Sequence, residues 1–317
     1  MGIGKVLALS LLGLGWSVGV WAEPLPDDRR VQASVVDHQG RIWAATWQGL
    51  RQIHPEGGAA TAVRSLPSDT ITSLLIDRQG KLWVGTPVGL YRIDPDRPEV
   101  EVYVIHLASN HVTGLALDRA GLIWVGTNRG LVRLSPHNGE TFARLEVPGH
   151  SVQALQFDRQ GRLWVGTLTG VYQLDAGRGT WLARYENLPG TVAQTLAVDV
   201  GPNLWVGTPQ GLLSIDTQTG RQTPLQQDGT NVLAIASDKN GKIWLGSDRG
   251  LERLDPKTGA IEARAQNLPA GRIQHLRWRS ERLLVGTSGG LGLLNPYQLT
   301  AGQAKTVPLY TPQLARN

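Results

Sequence analysis

The chain has no cysteine, one methionine and two phenylalanines in 317 residues. The missing cysteine excludes a disulfide framework, thiolate metal sites, a cysteine nucleophile, covalently attached haem and an N-terminal lipid-bearing cysteine. Charge is sparse at 18%, and a formal +5 speaks for solubility more than for a nucleic-acid partner. No apolar stretch beyond residue 22 is long enough to span a bilayer. Against these scarcities stand 11 tryptophans and 39 glycines, with 41% hydrophobic residues overall. Ordinary core packing does not select tryptophan over phenylalanine in this way, so something positional is selecting it.

Residues 1–22 read as a secretory signal. Lys5 is their only charge, the run from Val6 to Val20 is apolar, and Val20-Trp21-Ala22 has the form of a signal-peptidase site with cleavage after Ala22. A periplasmic or secreted protein is therefore expected, with residues 23–317 as one domain.

Six tryptophans recur at positions 43, 83, 124, 164, 205 and 244, in steps of 40, 41, 40, 41 and 39, and a further step of 40 reaches Leu284. Around each runs one phrase, clearest as Asp77-Arg-Gln-Gly80-Lys-Leu-Trp83-Val-Gly85-Thr86-Pro-Val-Gly89-Leu90. Its tail occurs seven times, closing on Gly49, Gly89, Gly130, Gly170, Gly211, Gly250 and Gly290. The seventh copy replaces Asp by Arg279 and Trp by Leu284, and the fifth has Pro202 in place of Gly, and both are read as keeping the spacing. A period near 40 is a repeat architecture. Approximate boundaries are 31–70, 71–110, 111–151, 152–191, 192–231, 232–271 and 272–311.

Each copy predicts four short strands. In the second they are Ile71 to Ile76, Lys81 to Thr86, a third from Gly89 to Asp94-Pro95, and Val100 to Ile105. The second strand is apolar on both faces and so sits between neighbouring layers. The fold class is all-β: a seven-bladed β-propeller of four-stranded antiparallel blades. Tryptophan fills the wedge between blades, and small residues (Ala33, Ser73, Gly114, Ala154, Thr195, Ala234) let the inner strands converge, with His275 in the seventh place. Lys305 to Thr311 is the expected last outer strand, with Pro24 to Arg30 as the alternative.

The phrase Asp-x-x-Gly-x-Leu/Ile-Trp-Val-Gly-Thr-x-x-Gly-Leu resembles the two-component regulator propeller repeat. That family's repeats form periplasmic sensor regions of hybrid histidine kinases, many of them associated with carbohydrate fragments. The resemblance covers about residues 31 to 296. No kinase or membrane helix follows the repeats here, so it implies ligand or protein binding outside the cytoplasm, as a stand-alone propeller. The repeated residues are scaffold, and no site carries over. Virginiamycin B lyase is similar at repeat level and implies the alternative, a metal-dependent lyase using His111 or His150 with Asp69 or Asp228.

Propeller ligands sit on the face formed by the second-to-third-strand turns and the loops entering each first strand. Candidate contacts there are Trp47, Asp69, Asn110, His111, Arg129, His150, Asn231, Arg249 and Arg272. These positions differ from copy to copy within a constant frame, and Trp47 is the one large aromatic at its turn. A channel-lining ring of Gln32, Thr72, Thr113, Gln153, Gln194 and Gln274 is expected near this mouth. Loops of two to four residues leave little room for a deep small-molecule pocket. On the opposite face Arg78, Arg119, Arg159 and Lys239 form a basic ring that the turn aspartates are expected to neutralise. The repeated Gly-Thr is read as a hairpin. The expectation is a non-enzymatic monomer with no cofactor, no metal and no nucleic acid, whose partner is a protein or a glycan fragment.

Overall fold

The structure, a computed structural model, describes residues 30–54, 60–149, 151–226, 229–266, 268, 271–296 and 304–310. The expected leader at 1–22, His150 and Asp228 lie outside these residues. Among the described residues no helix is long and apolar enough to cross a membrane.

Among the described residues, twenty-eight strands fall into seven antiparallel groups of four, which is the seven-bladed propeller. The inner strands are β1 Val31–Val36, β5 Ser73–Ile76, β9 Val112–Leu117, β13 Val152–Phe157, β17 Thr195–Val198, β21 Val232–Ser237 and β25 Ile273–Arg279. Each packs on the next, and β25 packs on β1, so the ring is closed. The second strands (β2 Ile42–Thr46, β6 Leu82–Thr86, β10 Ile123–Thr127, β14 Leu163–Thr167, β18 Asn203–Thr208, β22 Ile243–Ser247, β26 Arg282–Thr287) are buried along nearly their whole length, as expected of a strand covered on both faces. The last outer strand, β28 Ala304–Tyr310, pairs antiparallel with β27 Gly290–Leu294, so the final blade is completed from the C-terminal side. It also pairs in parallel with β24 Ile261–Gln266, the outer strand of blade 6, which joins the last two blades into one sheet.

Seven hydrophobic clusters occupy the seven gaps between blades. Trp43 packs with Ile71, Leu82 and Val84 of blade 2, and Trp83 packs with Val112, Ile123 and Val125 of blade 3. Trp124, Trp164, Trp205 and Trp244 repeat the contact around the ring. Leu284 does the same against Val31, Ile42, Ala44 and Ile53 of blade 1. The periodic tryptophans are fully buried, each removing on the order of 150–250 Å² from water.

The turn aspartate is the second half of this device. One carboxylate oxygen of Asp77 accepts from the backbone N–H groups of Gln79 and Lys81, each at 2.9 Å, while the other accepts from Trp83 Nε1 at 2.8 Å. Asp37, Asp118, Asp158 and Asp199 hold their tryptophans in the same way at 2.9–3.1 Å. Blade 6 departs from the pattern, because Asp238 caps its turn but Trp244 Nε1 is buried without a partner. Burial alone raises the Asp37 carboxyl, but bonds from Trp43 and Arg41 outweigh it and hold the group below its usual range.

Three expectations need correction. The glycine of Gly-Thr is not part of the hairpin. Gly85 lies inside β6, and a Cβ there would stand 2.3 Å from Ser73 Oγ of the same blade and 2.6 Å from Val112 Cγ1 of blade 3, so its cross-strand partner and the approach of the next blade together exclude a side chain. The seventh copy is also one residue short between Arg279 and Leu284. Arg279 pairs with Arg282 across a two-residue turn, with Ser280 at φ 53°, so the four-residue aspartate turn has no place there. Strand limits move by up to three residues: the second blade has Ser73–Ile76, Leu82–Thr86, Gly89–Asp94 and Arg97–Val104.

Candidate functional site

The turn from second to third strand is built identically in every blade. Thr127 Oγ1 donates to the Gly130 carbonyl at 3.0 Å and accepts from Arg129 N–H at 3.1 Å. The same pair of bonds recurs at Thr46, Thr86, Thr167, Thr208, Ser247 and Thr287. A buried hydroxyl thus fixes the backbone without help from the side chains of the two middle residues, although Thr169 adds a contact with Thr167 Oγ1 at 3.3 Å in blade 4. The middle residues vary and most are exposed: Trp47 is 40% exposed, Val88 47% and Leu168 46%, while Arg129 and Arg249 are exposed as well.

The entry loops complete this face. Asp69 is exposed, with Oδ1 only 3.2 Å from where a Gly49 Cβ would stand, which seats it beside the Trp47 turn. Asn128 N–H donates to the His111 carbonyl at 3.3 Å, and Ser288 N–H to the Arg272 carbonyl at 3.2 Å, so His111 and Arg272 are tied to neighbouring turns through backbone alone. Their side chains are exposed, as is that of Asn110. Asn231 is half-buried and accepts from Gln194 Nε2 at 2.7 Å, joining the face to the channel. The candidates therefore lie around one rim rather than around a single pocket. Among the described residues no three His, Asp or Glu side chains come together as a metal-binding group.

A bulge in five of the seven inner strands falls on the expected channel residues, since Gln32, Thr113, Gln153 and Gln274 have no ladder partner, and neither does Leu233. Such a bulge re-aims the side chain. Gln32 is exposed; Thr72, Thr113, Gln153, Gln194 and Gln274 are half-buried. Leu233 holds the equivalent place in blade 6, so the polar ring is interrupted there.

One concave feature of this region was not read from the sequence. An open groove of about 610 Å³ lies on blade 5, lined by Asn187, Leu188, Pro189, Gln210, Gln222 and Pro224. The loop Asn187-Leu-Pro-Gly190 and Pro224 on the outer strand β20 Gln222–Gln226 were its signals in the sequence. On the opposite face, the guanidinium groups of Arg78 and Arg119 donate to the carbonyls of Arg119 and Arg159, and Arg159 Nη1 to Val200 O at 2.5 Å. The aspartates expected to neutralise these arginines instead hold the tryptophans. The basic ring is a strap from blade to blade.

Where the ring closes, His275 Nε2 lies 3.2 Å from the Ser34 carbonyl. Burial, reinforced by the nearby Arg277 charge, pushes the imidazole down to about 4. A folded-state value below the ordinary 6.5 means that folding favours the neutral ring. That contribution is complete above about pH 6.5 and is lost as pH falls toward 4. Denaturant midpoints should therefore drop across this window, and His275→Gln should flatten the drop. An unchanged pH profile in His275→Gln would contradict the assignment.

Four segments, residues 65–87, 106–129, 146–169 and 226–249, match the two component regulator propeller family. Each contains a first strand, a second strand and the turn that follows. No curated protein matches the sequence significantly. Among solved structures, the extracellular domain of the hybrid two-component system BT4673 of B. thetaiotaomicron is 18% identical with a TM-score of 0.71, over 85% of this chain and 38% of that one. The corresponding domain of BT3049 from the same organism is 21% identical with a TM-score of 0.70, over 84% and 40%. Virginiamycin B lyase of Staphylococcus aureus is 15% identical with a TM-score of 0.71, over 83% and 92%. The chain thus spans about two fifths of the B. thetaiotaomicron domains, and at these identities the likenesses show the fold. The matched segments, 95 of 317 residues, are similar to the two component regulator propeller repeat, and the chain that carries them is built as one seven-bladed ring.

Proposed function

We propose that the protein is a non-enzymatic binding propeller that acts outside the cytoplasm and captures a protein partner on the rim bearing Trp47, Asn110, His111, Arg129, Arg249 and Arg272. One observation carries the reading: a buried turn frame repeated in all seven blades presents two middle residues, most of them exposed and differing from blade to blade, Trp47 among them. Aromatic and arginine side chains are the residues on which binding energy concentrates. A rim of shallow positions suits a broad protein surface better than a small molecule buried in a pocket. Placement outside the cytoplasm is supported by the leader-like residues 1–22 and by likeness to domains described as extracellular.

The test is capture of binding proteins from the native envelope by the full chain and by Trp47→Ala combined with Arg129→Ala and Arg249→Ala. Loss of about 2 kcal/mol or more, at least roughly 30-fold in affinity, is expected for the triple variant. Undiminished capture would sink the proposal. Retention of a glycan fragment in place of a protein would keep the rim but change the partner.

A further inference from the structure

The third and fourth strands of a blade meet the preceding blade at the outer corner of the gap, and blades 2, 3, 4 and 6 close that corner with their own side chains. In blade 4, Tyr172 and Trp181 meet edge to face at 6.0 Å and pack into the cluster shared with blade 3. In blade 2, Tyr91 lies at the register of Tyr172 and stacks on its cross-strand partner Tyr103 at 4.6 Å. Blade 3 uses Arg144, whose Nη2 donates to the His106 carbonyl at 2.7 Å, and blade 6 pairs Arg264 with Glu252 at 2.8 Å. Blade 5 has Leu213 at the register of Tyr172 and Gln222 at that of Trp181, with Pro224 opposite Leu213. All three line the open groove of about 610 Å³, so the groove lies where the other blades place a ring or an ion pair.

None of the lining residues is ionisable. Leu188 and Leu213 are buried, whereas Asn187, Gln210 and Gln222 are exposed, and their side-chain amides bond no described residue. The wall formed by Asn187-Leu-Pro-Gly190 is held from behind. Val192 N–H donates to the Gly190 carbonyl at 2.7 Å, closing a tight turn about Thr191, a β-branched residue at φ 61°. Thr191 N–H donates in turn to the Leu188 carbonyl at 3.2 Å. Such a conformation persists only where its surroundings over-determine it, so the wall is preformed. An uncharged apolar floor ringed by amides, which both donate and accept, is matched to an aromatic ring flanked by peptide groups.

We infer that the blade 5 groove takes the tyrosine or tryptophan side chain of an uncharged peptide segment of a partner. The ring fills the corner as Tyr172 and Trp181 fill it in blade 4, and Asn187, Gln210 and Gln222 bond the peptide groups on either side of it. The site goes beyond the contacts proposed at Trp47, Arg129 and Arg249 and does not rest on them.

Titration of the full chain with acetyl-Gly-Trp-Gly-amide and acetyl-Gly-Tyr-Gly-amide, followed on the methyl signals of Leu188 and Leu213, tests it, with acetyl-Gly-Ala-Gly-amide as control. Saturable shifts with a Kd tighter than about 1 mM are expected for at least one aromatic probe, with the alanine probe about tenfold weaker or more. Gln222→Trp, at an exposed position, supplies from within the ring that blade 4 has. It should weaken binding about tenfold or more without lowering the melting temperature, and Asn187→Ala should weaken it about threefold or more. Equal binding by both variants overturns the inference, as does equal affinity for the alanine probe or a Kd no tighter than about 1 mM for both aromatic probes. Maltotriose shifting the same methyl signals where the peptides do not would overturn it in favour of a sugar. The peptides are read at Leu188 and Leu213 and partner capture is not, so failure of the groove and failure of the rim are separate results.

Discussion

Trp164→Ala is expected to destabilise the protein by about 3–5 kcal/mol, read as a lower denaturant midpoint with an unchanged slope. The side chain is fully buried between Leu196, Leu204 and Val206 of blade 5, so truncation opens a cavity across a blade interface that both blades would have to move to close. The indole is also bonded to Asp158 at 2.9 Å, and that carboxylate would lose a donor. A subtler substitution isolates the bond. Asp77→Asn keeps an oxygen for the turn N–H groups but can present an NH2 to Trp83 Nε1, setting donor against donor at a cost of about 1–3 kcal/mol. Asp238→Asn is the internal control, since Trp244 has no such bond, and its cost should stay within about 0.5 kcal/mol. Equal costs at the two positions would show that the aspartate serves the turn alone.

Gly286→Ala is expected to weaken the closure of the ring. A Cβ at this position would stand 2.7 Å from the Val31 carbonyl oxygen of blade 1, a backbone atom that no rotamer change can move. The blades must separate, at about 1–3 kcal/mol for inserting one methyl group into a filled contact. Blade 1 has Ala45 at the same register, buried and accommodated, so a methyl group is not excluded everywhere. Ala45→Gly should accordingly cost less than Gly286→Ala. Denaturant midpoints of the two variants decide it, and an unaffected Gly286→Ala would mean that the seam between blades 7 and 1 is looser than the geometry requires.

The ring was legible because its determinants repeat. A forty-residue period exposes Trp43 to Trp244 as one positional class, and the same count places Leu284 in the seventh gap, where the structure puts it. What the period could not convey is contact between copies. Gly85 looks like a turn residue in one dimension, and its closeness to Ser73 across the ladder and to Val112 of the next blade explains it. The guanidinium of Arg78 looks like free charge until the neighbouring turn is seen to take its hydrogen bond. The blade 5 groove has the same origin, because Asn187 and Pro224 lie 37 positions apart and meet only in the fold. For the rim, the sequence could identify which positions vary, and Trp47 is indeed exposed. It could not show that Asn231 is partly engaged by Gln194, nor that Leu233 breaks the polar ring.

On the proposed function, Trp47 stands apart from the six tryptophans buried between blades as the one that meets a partner. Indole N–H hydrogen exchange, followed in the free chain and in the partner-saturated chain, tests that division directly. Trp43, Trp83, Trp124, Trp164 and Trp205 should exchange only on global unfolding, while Trp47 exchanges at once when free and is protected when the partner is bound. Fast exchange at Trp164 or Trp205 in the folded chain, or a Trp47 signal indifferent to the partner, would contradict it.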